Sequence, residues 1–252
     1  MGCSSSSNAG GVARQMVLKD DDGVEPPPPP SLLPADLLRF LPEDSLCLST
    51  LPLASRCALA QHLFGSQEVN CLRSPFCLKY RLTRDGCSLS TMYHSQHDYH
   101  SGPVILLLRS LKGQDIESSP IIVGLFLSEP LVPRNDSLVR PTGDGTTFAF
   151  TWSQESEFIL YPTGALDAAG PSSFSSLCFA LCTENSCSFG MSEEHGTCLL
   201  RVDSDLEWVS GGASDTFRNS GCVFPGVGKS SDASEERLRL GEVELLCKVL
   251  CS

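Results

Sequence analysis

The chain has 252 residues, 41% of them hydrophobic, and a formal net charge of −12. This length and composition fit one globular domain with an appendage, while the negative charge and the lack of a Lys/Arg cluster exclude a nucleic-acid-binding protein. Without an apolar run of about 18 residues or the apolar core of a secretory signal, the sequence predicts no transmembrane helix and a protein that faces the cytosol.

The first residues, MGCSSSS, match a signal for N-terminal acylation. Removal of Met1 exposes Gly2, which is followed by small residues and the hydroxyl of Ser6, as N-myristoylation requires. One myristoyl chain holds a protein on a bilayer only marginally, and residues 14–25 offer four acidic side chains against two basic ones. Cys3 is then the candidate for the second acyl chain. We predict dual acylation at Gly2 and Cys3; the alternative is a chance Met-Gly start in a flexible tail.

Residues 1–30 are small, polar and acidic, and they end in the proline run Pro26 to Pro30. Such a segment cannot bury enough apolar surface to fold, and the prolines favour a stiff polyproline helix. We predict a disordered, acylated tether, with a proline-rich ligand for another protein as the alternative.

Residues 31–75 show helix-like apolar spacing that prolines interrupt. Pro34, Pro42 and Pro52 should each begin or end a helix. We therefore predict a segment of several short helices, which either packs on the following domain or forms a separate unit.

Residues 76–252 are predicted to form one domain that is α+β but mainly β. Short apolar runs bounded by turn residues indicate two packed antiparallel sheets, a sandwich flanked by short helices. Two further stretches are predicted as helices, GCSLSTMY and SDLEWVSGG, the second with Asp203 or Ser204 as its cap. The predicted strands are 103–110, 120–128, 146–152, 158–161, 177–181, 198–202 and 241–250.

The thirteen cysteines are interpreted as reduced thiols, because their number is odd and nothing directs the chain to an oxidising compartment. The densest group contains no C-x-x-C pair and begins in an apolar stretch, so we expect buried cysteines more than a zinc site. Cys87 and Cys222, each beside a glycine, are expected to be the more exposed ones. The densest group consists of Cys178, Cys182, Cys187 and Cys198.

Candidate chemistry is sparse. The segment YHSQHDYH spaces His94, His97 and His100 by three residues, which fits solvated loop residues better than a metal site. Templates for a nucleophile elbow, a phosphate-binding loop and a zinc protease helix are missing from the sequence. The sequence therefore predicts no catalytic residue, no metal and no cofactor.

Motifs from residue 76 onward resemble, in order, those of the TLDc domain found in oxidation-resistance proteins. The segment LTRDGCSLSTMY is similar to the start of the family, VGLFLSEP and GDGTTFAF to its central strands, and DSDLEWVSGGASDTFRNSG with GEVELLCK to its end. Thr146, Ser214 and Leu246 depart from the glutamate, cysteine and tryptophan that the family usually has. The matching residues are Asp85, Gly86, Ser88, Leu89, Thr91, Tyr93, Gly124, Phe126, Gly143, Gly145, Phe148, Phe150, Leu200, Asp205, Leu206, Thr216, Phe217, Asn219 and Glu244.

The resemblance implies a sandwich fold without a settled enzymatic activity. It further implies a role in oxidative-stress resistance or in regulating assembly of the vacuolar-type proton pump, through its soluble-sector or peripheral-stalk subunits. Together with the acylation signal, it predicts an interaction module on the cytosolic face of the plasma membrane or of an endolysosomal or vacuolar membrane. Two alternatives remain: a thiol-based redox protein that consumes oxidant directly, and a scaffold with other partners.

Overall fold

A computed structural model describes residues 34–65, 74–97, 102–111, 119–133, 143–163, 178–191, 197–217, 219, 221–224 and 236–249. The helices are α1 (Pro34–Leu37), continued by a 3-10 turn (Leu38–Phe40), α2 (Leu46–Thr50), α3 (Leu53–Gly65), α4 (Leu82–Asp85) and α5 (Leu89–His94). The strands are β1 (Phe76–Arg81), β2 (Val104–Ser110), β3 (Ile122–Leu127), β4 (Phe148–Trp152), β5 (Ile159–Pro162), β6 (Cys178–Cys182), β7 (Ser186–Met191), β8 (Cys198–Asp203), β9 (Trp208–Gly211) and β10 (Glu236–Lys248).

All strand pairs are antiparallel, and β10 is the strand on which the sheet is built. Nine of the ten strands follow one hydrogen-bonded path, β5-β4-β3-β2-β10-β9-β8-β7-β6, and the tenth, β1, pairs with β10 beside that path. Residues 236–239 of the 13-residue strand β10 pair with β9, whereas its later residues pair with β1 and β2. The predicted mainly β, antiparallel fold is confirmed, and the shared strand β10 joins the strands into one connected sheet.

Strand β2 is apolar on both faces because each face meets a different core. Leu106 and Leu108 belong to an inner core that also contains residues of β7, β8 and β9. Ile105 and Leu107 belong to an outer core, in which α2 and α3 cover the other face of the sheet. A strand buried on both faces has the continuous apolar sequence seen in VILLLRS, without polar alternation.

The helix predicted around SDLEWVSGG is wrong, because this stretch forms a tight turn followed by β9. The Asp203 side chain accepts hydrogen bonds from the amides of Glu207 (3.0 Å) and Trp208 (3.3 Å), so it closes a turn between β8 and β9. Leu206 has a φ of 53°, which a helix does not allow. The helix predicted at GCSLSTMY is confirmed as α5, and the Ser88 hydroxyl accepts a hydrogen bond from the Thr91 amide (3.4 Å). Among the described helices, none has the length and hydrophobicity needed to cross a bilayer.

Gly124 on β3 lies directly opposite Phe150 on β4, and the Phe150 ring lies over it. A Cβ at position 124 would come within 2.1 Å of the ring atom Cζ. We expect Gly124→Ala to lower the free energy of unfolding by about 1–3 kcal/mol, because the fully buried Phe150 has little room to move. Urea unfolding measures the change. Gly221→Ala is the control, since a Cβ there meets no atom within 4 Å; equal losses in both variants would contradict the prediction.

Candidate functional site

The first group of family-motif residues organises the turn between β1 and α5. Asp85 accepts a hydrogen bond from the Arg81 amide (2.8 Å) and pairs with the Arg84 guanidinium (2.8 Å). Arg84 also lowers the pKa of the Asp85 carboxyl, chiefly through its hydrogen bonds. Gly86 ends α4 with a φ of 90°, which favours glycine, and its carbonyl accepts a hydrogen bond from the Tyr80 hydroxyl. These residues fix the backbone where β1 leads into the short helices.

The second group of family-motif residues lies on β3, on β4 and in the turn that precedes β4. Phe126 and Phe148 stack with ring centroids 5.1 Å apart, next to the Gly124–Phe150 pair. Gly143 has a φ of 107° before β4, and the Gly145 carbonyl accepts a hydrogen bond from the Thr163 hydroxyl (2.8 Å). This group therefore supports the packing of β3 and β4.

The third group closes the end of the domain that follows β9. Phe217 packs so tightly on Gly190 that a Cβ there would come within 2.4 Å of its ring. Asn219 forms an isolated bridge with Ser214, and its side-chain amide donates to the Gly212 carbonyl (3.2 Å). Thr216 is buried and donates to the Met191 carbonyl (3.5 Å). The remaining motif positions Leu89, Leu200 and Leu206 are buried in the inner core, Tyr93 joins that core, and Thr91 and Asp205 are exposed.

The three positions that depart from the family pattern are each accommodated locally. The Thr146 amide and hydroxyl both donate to Asp144, at 2.8 and 2.6 Å. The buried Ser214 hydroxyl donates to the Gly190 carbonyl (2.6 Å). Leu246 is fully buried in the outer core. These three residues are therefore compatible with the fold that the family-motif residues stabilise.

Glu244 is the motif residue with the richest set of polar contacts, although it is fully buried. Its carboxylate accepts hydrogen bonds from the Ser45 hydroxyl (2.5 Å) and from the amides of Leu46 (2.8 Å) and Cys47 (3.1 Å). The Arg81 guanidinium completes the arrangement with an ion pair of 3.0 Å. Because the donors come from the N-terminus of α2 and from β1, this carboxylate joins the helical segment to the sheet.

A second buried carboxylate lies two residues earlier on β10. Glu242 accepts hydrogen bonds from the Thr83 hydroxyl (2.7 Å) and amide (3.3 Å), at the start of α4. Burial and the nearby Glu244 also raise the pKa of the Cys47 thiol well above its ordinary value. The sequence did not reveal the partners of these carboxylates, since they lie more than a hundred residues away along the chain; Glu242 itself carried no signal beyond its alternation with Glu244.

An open groove lies between the start of α3 and the turn from β4 to β5. The groove has a volume of about 580 Å³, and its two walls differ in character. Pro52, Ala54 and Ala58 supply a small apolar wall, whereas Glu155 and Glu157 are exposed acidic residues on the other wall. Leu53 and Ile159, adjacent in sequence to these walls, are also exposed, by 59% and 40%. We name this surface the acidic groove.

The structure describes some, but not all, of the histidines and cysteines for which the sequence yields predictions. His94 is the last residue of α5 and His97 lies in the turn that follows; both are exposed, while His100 lies outside the described residues. Within the described ranges, no group of three His, Cys, Asp or Glu residues could hold a metal ion. Cys87 is exposed and Cys222 is partly exposed. Cys182, Cys187 and Cys198 are buried, as predicted, and Gly2, Cys3 and the proline run lie outside the described residues.

A family model described as TLDc domain matches residues 58–245. The match begins within α3 and extends into β10, so it covers most of the chain and includes the motif positions described above. A comparison with curated proteins finds no match.

Proposed function

Because the chain belongs to the TLDc domain family, we propose that it is a non-enzymatic interaction module held by acyl chains on the cytosolic face of a membrane. The observation that carries this proposal is the family match over residues 58–245 combined with the acylation signal MGCSSS. The module would act in oxidative-stress resistance or in regulating assembly of the vacuolar-type proton pump, as the resemblance implies.

The anchor would work by raising the local concentration of the domain near membrane-bound partners. Tethering strengthens a weak contact by roughly 10²–10⁴-fold without adding any new contact. The acidic segment 14–25 would be repelled by an anionic lipid surface, so acyl chains on Gly2 and Cys3 would have to supply the attraction. Labelling with acyl-chain analogues tests this step: we expect label at both positions, and a wild-type protein that takes up no label would remove the anchor.

We also infer that the sheet bends across β10, so that its two halves face each other as a sandwich. The inner core supports this inference, because it contains residues of β2, β3 and β4 together with residues of β7, β8 and β9. The outer face of β2–β4 is then covered by α2 and α3. The two ends of the long strand β10 would then belong to opposite sheets of a single domain.

The acidic groove is the proposed contact surface for the partner. Its volume of about 580 Å³ and its exposed apolar neighbours Leu53 and Ile159 suit a short amphipathic segment. Glu155 and Glu157 are acidic, so a complementary segment would carry Lys or Arg beside its apolar residues. A basic, apolar partner segment is therefore the chemistry that this surface favours.

Reversal of one groove charge is expected to weaken the complex. In Glu157→Arg, repulsion replaces attraction at the proposed contact, and we expect partner recovery to fall about tenfold, which corresponds to ~1.4 kcal/mol. Recovery is measured by affinity capture of the full chain from solubilised membranes. Glu184→Arg is the matched control, because it makes the same charge change at the exposed turn between β6 and β7. Similar losses in both variants would contradict the groove as the contact surface.

The alternative function is a redox protein that consumes oxidant through a thiolate. The exposure of Cys87 favours this alternative. In contrast, burial raises the pKa of the Cys187 thiol and raises that of Cys247 to about 12, so these thiols are poor nucleophiles at neutral pH. Peroxide consumption by the purified chain separates the two functions: a binding module shows no turnover, and sustained turnover that Cys87→Ser abolishes would establish the alternative.

A further inference from the structure

Two cysteines face each other across the hairpin formed by β6 and β7. Cys182 and Cys187 are direct partners in the antiparallel register. Their sulfur atoms are only 3.2 Å apart, and both side chains point into the inner core. Cys182 is 3% exposed and Cys187 is fully buried. The hairpin therefore holds two thiols in contact within a protected environment.

The hydrogen bonds of the hairpin place this pair at a favourable backbone separation. The Thr183 amide donates to the Ser186 carbonyl (2.9 Å), so Thr183 and Ser186 form a hydrogen-bonded pair at the turn. The next pair along the strands, Cys182 and Cys187, is then a non-hydrogen-bonded pair, whose Cα atoms lie about 4.5 Å apart in antiparallel sheets. That separation lies within the range that disulfides span. The sulfurs need only approach from 3.2 Å to a bond length of about 2.05 Å.

Tyr93 on α5 completes the environment of the two thiols. Its hydroxyl donates to the Thr183 carbonyl at 3.2 Å, next to Cys182 in sequence. Thr183 caps the turn itself, because its hydroxyl accepts from the Ser186 amide (3.0 Å). The contacts from α5 and within the turn hold the hairpin in one register, so the cysteines remain opposed.

We propose that Cys182 and Cys187 form a reversible disulfide when the protein meets a peroxide. In the first step a sulfur atom attacks one peroxide oxygen, the O–O bond breaks, and the departing hydroxide takes the thiol proton to leave as water. The product is a sulfenic acid. In the second step the other sulfur attacks it, the S–S bond forms, the S–O bond breaks, and the second thiol proton leaves with the hydroxyl as water. Two thiols and one hydrogen peroxide give one disulfide and two waters.

Burial slows the reaction of both thiols with peroxide. It holds the pKa of the Cys187 thiol well above its ordinary value, so this thiol stays protonated and is a poor nucleophile. The exposed fractions of Cys182 and Cys187 are nearly equal, at 3% and 0%, so either sulfur can form the sulfenic acid, and the other, already in contact with it, resolves it. Since both lie in the core, oxidation is slow and occurs once per chain until a thiol reductant restores the pair by exchange. The cysteine pair therefore acts as a peroxide sensor and not as an enzyme that removes peroxide. This role is independent of the acyl anchor.

Peptide mapping of the full chain after hydrogen peroxide treatment tests the proposal directly. Free thiols are blocked after denaturation, and cleavage after glutamate then cuts the chain at Glu184, between the two cysteines. A disulfide therefore appears as two linked peptides, which separate on reduction. We expect this linked species in the wild type and in Cys178→Ser, which removes the neighbouring cysteine of the same peptide, and its loss in Cys182→Ser.

The wild-type map can overturn the proposal even if a variant fails to fold, and Cys178→Ser assigns the link to one of the two cysteines in the 158–184 peptide. Recovery of Cys182 and Cys187 as free thiols, under peroxide treatment that oxidises the exposed Cys87, would overturn the proposal. A link from Cys187 to Cys178, which Cys178→Ser abolishes, would overturn it too. Stoichiometric formation that stops after one equivalent of peroxide supports it, whereas continued peroxide consumption through this pair would overturn the single-use role.

Discussion

Replacement of Arg81 by methionine is expected to destabilise the domain by about 3 kcal/mol, which is typical when one partner of a buried ion pair is removed. Glu244 is fully buried, so loss of the guanidinium leaves its negative charge in a low-dielectric environment. Ser45 and two α2 amides still donate to the carboxylate, which keeps the expected loss at the lower end of the range. Urea unfolding followed by circular dichroism measures the change.

The control for this prediction is another arginine ion pair in the same turn. Arg84→Met removes the pair with Asp85, whose side chains are 47% and 27% exposed. We expect a loss of ~0–1 kcal/mol there, because exposed pairs are screened by solvent. The double variant Arg81→Met with Glu244→Gln should recover part of the stability, since the uncompensated charge is then removed. Equal losses for Arg81→Met and Arg84→Met would show that burial of Glu244 does not matter.

Substitution of Gly2 by alanine is expected to release the protein from membranes almost completely. Alanine blocks acylation of the first residue, and the acidic segment 14–25 offers no electrostatic attraction to replace it. Cys3→Ser should give an intermediate result, because a single myristoyl chain binds bilayers with a constant of only about 10⁴ M⁻¹. Fractionation of cells that carry a C-terminal fusion measures the membrane-bound share.

Ser4→Ala is the matched control for the anchor, as it changes a neighbouring small residue outside the required positions. We expect its distribution to equal that of the wild type. Membrane retention of Gly2→Ala at the wild-type level would mean that some other feature of the chain binds the membrane.

The sequence predicted the fold wherever a strand had a strong local pattern. VILLLRS and IVGLFL are apolar runs, and the structure shows why: both faces of β2 and β3 are buried. Strands β7 (SCSFGM) and β9 (WVSG) were missed because serine and glycine interrupt their hydrophobic pattern, and tertiary pairing decides their conformation. The start of β10 is similarly polar, and it becomes a strand by pairing with β9.

The functional features were harder to predict because they depend on distant parts of the chain. Glu244 carried a motif signal, yet its donors Ser45 and Arg81 lie 199 and 163 residues away. The cysteine pair did have a local signal, since Cys182 and Cys187 are placed symmetrically about the turn residues Thr183 and Ser186. A search for zinc-ligand spacing does not detect this pair. In a hairpin, residues meet because they are opposite each other in the strand register, and their spacing along the chain differs from that of a metal motif.

Quantitative co-purification of proton-pump subunits is the measurement that tests the central claim most directly. The full chain, tagged at its C-terminus, is captured from solubilised membranes beside its Gly2→Ala variant. The account predicts soluble-sector or peripheral-stalk subunits with the wild type and a reduction of at least about a hundredfold with the variant, as loss of tethering implies. Abundant recovery of other proteins with the wild type, without any pump subunit, would contradict the claim.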